Sequence, residues 1–368
     1  MINNRMFIMT RKEFISLCLF VGVIIFCVVR FATAEYEYVG SRYLNYTPDL
    51  QGKNLRTEIY VISKKKNVQE IVENSFAEMQ ELVYKFSEEY DQSLIYKINN
   101  STKREFEMDS DLYNLLVMAD SMYRLTDGKF DVTLNPVYDL WDFDSVEDPI
   151  SGDNEQFLPD SLEVIKKLEY VGFSKLSYDK EKLYLPEGME LNFGSISKGY
   201  IVDKIVKSLK EQGVIAGVID QVSSIRYFGE IEKKLILGVQ HPRLQDQTIE
   251  VLTNLENRSI STSGDYQQFF DIGSTRYHHI IDATTGYPAR ENVSVTLIST
   301  SAFEADAYST ALFLMNADAG IEFLKNKKDS DTIIYREKFN YNSNSFDAEC
   351  LKTGKTEYSN GIDFYLND

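Results

Sequence analysis

Residues 263–288 hold the densest group of side chains able to do chemistry. The stretch opens Ser263-Gly-Asp-Tyr-Gln-Gln-Phe-Phe and closes Arg276-Tyr-His-His-Ile-Ile-Asp-Ala-Thr-Thr-Gly-Tyr-Pro288. It contains His278 and His279, two of the chain's three histidines, with Asp265, Asp271 and Asp282. A histidine takes or gives a proton near neutral pH. Strand-like apolar residues flank the polar groups and a Gly-Tyr-Pro turn ends them. Polar groups held this way on a rigid frame are the usual form of a binding or catalytic loop. The plain reading is a turn-rich hairpin facing water, and the rest of the chain must decide between the two. Adjacent strand residues face opposite ways, so the two histidines point to opposite sides of the chain.

A second group lies downstream. Ser301-Ala-Phe-Glu304 is a capping box, in which hydroxyl and carboxylate each satisfy a free N–H at a helix start. On the helix it begins, Asp306 and Thr310 are four apart and share a face. Oxygen donors on one turn suit a hard cation such as Mg²⁺. Ala305, Ala307, Ala311 and Leu312 around them point to a packed helix rather than an exposed Asp–Thr pair. A third group is Leu191-Asn-Phe-Gly-Ser-Ile-Ser-Lys-Gly-Tyr200, followed by Ile201, Val202, Ile205, Val206 and Leu209 up to Gly213. It reads as strand, small-residue turn and amphipathic helix, whose free N–H groups suit a phosphate.

The elements that position these groups are legible from periodicity. Thr57–Ser63 reads as a strand; Val68 to Phe86 and Leu112 to Leu125 carry core-facing helical stripes. Residues 144–158 are acidic and read as an exposed loop, and Asp160–Leu168 as a short helix. Strands are expected within 217–228, at 234–239 and at 293–298, and two or three more follow in the C-terminal part, with a turn at 341–346.

The 368 residues suffice for one large domain or two ordinary ones. A net charge of −18 argues against nucleic acid or an anionic membrane surface as partner. It also requires a local cation for any bound polyphosphate. Of Cys18, Cys27 and Cys350, two lie in the N-terminal apolar run, so no disulfide, zinc or thiol chemistry is expected in the folded part.

Residues 1–34 combine Arg5, Arg11 and Lys12, an apolar run from Phe14 to Val29, and Ala32-Thr-Ala34. They read as a signal peptide, with an uncleaved signal-anchor as the second reading because Arg30 follows the run. Residues 35–53 read as a linker, and residues 54–368 as the functional domain.

Five blocks together resemble the FAD:protein FMN transferase (ApbE) family: Gly128–Pro136 with Trp141, Asn192–Asp203, Gly238–Pro242, Ser263–Pro288, and Glu304–Thr310. The resemblance implies an α+β fold of mixed and antiparallel sheets with packed helices, two lobes flanking a FAD cleft. It implies an extracytoplasmic enzyme that splits FAD with Mg²⁺, passes FMN to a threonine hydroxyl of a partner flavoprotein and releases AMP. By motif, Lys129, Phe130, Asp131, Asn192, Lys198 and Ile280 would bind FAD. Ser195, Asp306 and Thr310 would hold the metal, and His279 would assist transfer. A Mg²⁺-dependent FAD pyrophosphatase and a non-catalytic FAD-binding protein of the same fold are the competing readings. The chain departs from the family at Asn192, at Val222-Ser-Ser224 and at Ala283, where Asp, Gly-Gly-Asp or Gly-Gly-Asn, and Pro are usual. The first two departures predict weaker FAD binding.

A reporter fused after residue 40 is expected to work only outside the cytoplasm. Activity confined to the cytoplasm would contradict the reading of the N-terminal segment.

Overall fold

A computed structural model describes residues 39–48 and 54–352, apart from 222, 232–235, 245–246, 254, 326, 328 and 341–344, together with 358–359. The apolar run at 14–29, and with it the signal-peptide reading, lies outside the described residues, as does Val222. Two compact units are distinguished, residues 1–40 and 41–368. Among the described residues no helix is long and apolar enough to cross a membrane.

The second unit is α+β, built on an eight-stranded sheet. Its strands are β1 (Val39–Pro48), β2 (Asn54–Ser63), β3 (Ala216–Gln221), β4 (Ser224–Phe228), β5 (Ser259–Gly264), β6 (Ser294–Ser299), β7 (Asp331–Asn340) and β8 (Ser345–Lys352). They lie side by side in chain order, and each pair from β2 to β8 is antiparallel. Among the described residues all the helices are inserted between neighbouring strands, so the site residues come from β5 and from insertions on one frame. Residues 39–48, expected as linker, form the edge strand β1.

Four helices matter most: α1 (Val68–Phe86), α2 (Ser110–Leu125), α3 (Ser197–Glu211) and α4 (Ala302–Leu314). The first three bury one face, as their stripes predict. Helix α4 is different. Ala302, Ala305, Ala307, Ala311, Leu312 and Phe313 are all fully buried, and so are the polar Asp306 and Ser309. A helix apolar on every side belongs in a core, and its alanines let α3 and β5 approach closely.

Two local readings need correction. Residues 191–193 are not a strand. Leu191 instead exchanges hydrogen bonds with the Asn99 side chain at 2.8 and 2.9 Å, and Asn192 N–H donates to Val132 C=O at 2.8 Å, so side chain and loop replace a ladder. The capping box is only half formed. Ser301 Oγ accepts from Glu304 N–H at 3.2 Å, but Glu304 accepts from Ser299 Oγ, and Asp203 takes the Phe303 N–H at 3.0 Å. The acidic segment 144–158 is exposed along most of its length, as expected; it carries 3₁₀ turns at Phe143–Ser145 and Glu155–Phe157, and Asn154 is buried. Helices Leu94–Asn99 and Ala317–Lys325 also form; they carry too few turns to show a period.

Asp111 ties three helices together. It accepts from Lys85 of α1 at 2.8 Å, from Tyr200 of α3 at 2.6 Å, and from Lys204 of α3. Burial alone would raise its pKa, but the bonds from Lys204, Lys85 and Tyr200 outweigh it and bring it to about 2. A carboxylate with a lowered folded-state pKa contributes stability above its unfolded value and loses it as pH falls through the folded value. The urea midpoint is therefore expected to fall between about pH 4 and pH 2 in the parent. Asp111→Asn should cost about 2 kcal/mol at neutral pH, the scale of hydrogen bonds to a charged group, and flatten that part of the profile. An unchanged midpoint would contradict the assignment.

Candidate active site

The site is built where α3 begins against α4. The first N–H groups of a helix have no partner within it, and α3 has no side-chain cap of its own. Asp306 of α4 supplies one, its Oδ2 accepting Gly199 N–H at 2.9 Å. This needs glycine: a Cβ on residue 199 would lie 2.1 Å from the Ala302 carbonyl oxygen and 2.7 Å from Asp306 Cβ. Asp306 Oδ1 accepts from Ser261 Oγ of β5 at 3.3 Å.

Two neutral donors do not offset the burial of a carboxylate. Each hydrogen bond to a charged group contributes about 2 kcal/mol, whereas desolvating the ion costs several. Burial accordingly raises the Asp306 pKa against Lys198, the Gly199 N–H and Ser261, all of which favour the ion. A carboxyl in that condition is neutralised by a proton or by a cation.

The hydroxyls beside it are ordered by their proton count. Ser309 Oγ donates to the Asp306 carbonyl at 2.9 Å. Ser263 must therefore donate to Ser309, 2.9 Å away, and Thr310 to Ser263, at 3.1 Å. The relay leaves the lone pairs of Thr310 Oγ1 available. Ser195 lies in the turn entering α3, and Ser197 Oγ is buried there without a partner. Among the described residues no three His, Cys, Asp or Glu cluster, so a cation here would take one carboxylate with hydroxyl oxygens. That all-oxygen set fits Mg²⁺ and not a softer metal.

His279 follows the hairpin of Phe269–Ile272 with Thr275–His278. Its Nδ1 lies 3.3 Å from the Gln268 carbonyl oxygen. A carbonyl only accepts, so the proton sits on Nδ1 and the Nε2 lone pair is left bare. Burial, with His278 and Lys198 nearby, lowers its pKa to about 3 and keeps the ring neutral. His278 is used up structurally. Its Nε2 meets the Ala289 carbonyl at 2.8 Å, its Nδ1 accepts Ile280 N–H at 3.3 Å, and its ring stands edge-on to Phe313. The charge of Lys198 acts on both Asp306 and His279, favouring the ionised carboxylate and the neutral imidazole.

The remaining residues divide by environment. Lys129 is half-exposed and 3.7 Å from Asp282. Phe130 is in the core. Asp131 accepts from Thr133 N–H and Oγ1 and from Phe173 N–H, at 2.7 to 2.8 Å. Ile280 is buried, with both backbone groups paired. Asn192 donates to Glu88 and Asn135 at 2.9 Å and accepts from Gly194 N–H at 2.8 Å. These polar atoms are engaged within the protein. Ser224 is buried opposite Ser261 in the β4–β5 register.

Beside Asn192 is a cavity of about 490 Å³ lined by Glu88, Asn135, Tyr138, Asp139, Asp144 and Glu190, among others. Burial, and then Glu190, raises Asp139 to about 6. Such a cavity repels phosphate. Sequence reading missed two parts of the site. Ser261 belongs to an ordinary strand pattern, and Gln268 acts on His279 through its main chain, which no residue type reveals.

Comparison with known proteins gives the family and the fold. The ApbE family model matches residues 54–334, and the chain belongs to that family. An FAD:protein FMN transferase of Klebsiella pneumoniae is 27% identical over 248 residues, 66% of this chain and 75% of the relative. One of Buchnera aphidicola is 25% identical over 275 residues, 72% and 79% respectively. The crystal structure of an ApbE protein from Thermotoga maritima, 30% identical, superposes with a TM-score of 0.69 over 80% of this chain and 94% of that one. A flavin transferase from Vibrio cholerae, 21% identical, shares the fold with a TM-score of 0.70 over 85% and 97%.

Gly199→Ala is expected to cost about 3 kcal/mol, the upper range for overpacking a core, measured by urea denaturation. A stability equal to the parent's would show that α3 and α4 are not held as described.

Proposed function

We propose that this chain is a Mg²⁺-dependent FAD:protein FMN transferase acting on a threonine of a partner flavoprotein outside the cytoplasm. The observation that carries the reading is the pairing of a buried, cation-seeking Asp306 with a neutral His279 of fixed tautomer, both next to Lys198. Family membership and the names of the relatives support the transferase class.

In the proposed reaction the threonine Oγ attacks the phosphorus of the FMN half. The P–O bond to AMP breaks, AMP leaves with that electron pair, and the threonine proton passes to His279 Nε2. Asp306, Thr310 and Ser195 would hold Mg²⁺, which when bound neutralises pyrophosphate charge. Lys198 adds a second positive charge on the phosphate side, and the start of α3 presents its N–H groups there. Lys129, half-exposed, faces the flavin. Phe130, Asp131, Asn192 and Ile280 shape the backbone around the ligand, because their own groups are packed or paired. Neutral His279 can accept a proton at any pH above its lowered pKa, so acid down to about pH 4 should leave the base competent.

The test is turnover of FAD with AMP as readout. Asp306→Ala is expected to abolish Mg²⁺-dependent cleavage. His279→Ala should lower transfer about a hundred- to ten-thousandfold, the range of a general base, and leave FAD binding intact. His278→Ala should chiefly lower stability. Asp306→Ala with parental turnover and Mg²⁺ dependence would refute the metal assignment, and equal loss in two folded histidine variants would refute the base.

A further inference from the structure

We infer that Gln268 is a positioning residue for His279, and that the acidic segment 141–157 holds it in place. The inference rests on the proposed transferase reading only for its activity readout.

The main-chain carbonyl of Gln268 accepts twice from His279, from the backbone N–H at 3.0 Å and from the ring Nδ1 at 3.3 Å. One oxygen thus fixes both the backbone and the tautomer of the base. The side chain of the same residue points the other way and is held at two points. Its Nε2 donates to Asp144 Oδ1 at 3.1 Å, and its Oε1 accepts from Tyr138 Oη at 3.4 Å. The carbonyl is therefore aimed by a residue whose far end is clamped to a different insertion.

That insertion is itself fastened to the hairpin preceding His279. Asp271 N–H donates to the Pro149 carbonyl at 2.7 Å, and Asn154 Nδ2 donates to the Asp271 carbonyl at 3.3 Å. Beneath these ties Trp141 stacks on Phe143 and Tyr277, with ring centroids 5.9 and 5.7 Å apart, and Phe270 packs against Phe143, Phe157 and Tyr277. Trp141 Nε1 donates to the Gly286 carbonyl at 3.1 Å. The aromatic contacts make the segment a rigid wall, and the Gln268–Asp144 bond transmits its position to the imidazole. Partners outside the ligand shell that orient a histidine are typically worth about ten- to a hundredfold in function.

The chain has three histidines, so the full-length protein labelled with ¹⁵N at histidine gives three ring spectra, which report the tautomer without any turnover. In the parent, His279 is expected to carry its proton on Nδ1 alone. Gln268→Glu keeps the shape but turns the donor facing Asp144 into a second carboxylate. His279 should then divide between tautomers, and kcat for FMN transfer should fall about ten- to a hundredfold with KM for FAD little changed. Adding Asp144→Asn reverses donor and acceptor, and should restore both the single tautomer and kcat. Asp144→Asn alone keeps an acceptor oxygen and should resemble the parent. Parental tautomer and kcat in Gln268→Glu would overturn the inference, as would a double variant no better than Gln268→Glu. If the tautomer follows the swap but no variant or parent transfers FMN, the positioning role stands and the transferase reading fails.

Discussion

The contact on which the site depends is the hydrogen bond from Gly199 N–H to Asp306, made where no side chain at residue 199 would fit. It joins two needs. The start of α3 has free N–H groups, and α4 carries a buried carboxylate with too few donors. Each partly satisfies the other, and what remains is a carboxyl whose charge burial still disfavours, so that a proton or a cation must neutralise it. The all-round burial of α4 is what makes this possible, since only a helix lined with alanine lets glycine and carboxylate meet at this distance. Ser261, Ser263, Ser309 and Thr310 then arrange their protons about Asp306, and β5 and α4 supply them from opposite sides.

Much of this was legible in the residues, and the limits have physical causes. The period of Val68 to Phe86 and of Ile201 to Leu209 marked α1 and α3, because a helix burying one face repeats its apolar side chains. The i, i+4 placement of Asp306 and Thr310 marked a polar face on a packed helix. Alternation set His278 apart from His279, and His278 is enclosed; the role expected of His279 came from the family resemblance. What could not be read was anything carried by the main chain or by residues distant in sequence. Asn99 replaces a ladder at Leu191, Ser299 takes the Ser301 N–H expected of Glu304, and Ser261 reaches Asp306 from β5. The acidity of residues 144–158 marked an exposed segment, as it is, but not that Phe143, Asn154 and Phe157 anchor it from beneath.

The chemistry is consistent with the charge of the whole chain. A protein at −18 repels a dinucleotide unless cations are concentrated where the phosphates lie. The acidic cavity beside Asn192 is closed to phosphate for the same reason, whereas Lys198 and the start of α3 offer positive potential on the side of Asp306. Phosphoryl transfer asks for positioning and charge neutralisation more than for covalent help, and the site supplies these with one carboxylate, ordered hydroxyls, one lysine and one neutral imidazole.

The central claim is tested most directly by incubating the full-length protein with FAD, Mg²⁺ and a threonine-bearing flavoprotein acceptor, then measuring covalent flavin fluorescence on the denatured acceptor together with released AMP. The account predicts fluorescent acceptor and AMP in equal amounts, both lost when Mg²⁺ is chelated. AMP accompanied only by free FMN, or fluorescence that survives chelation, would contradict it.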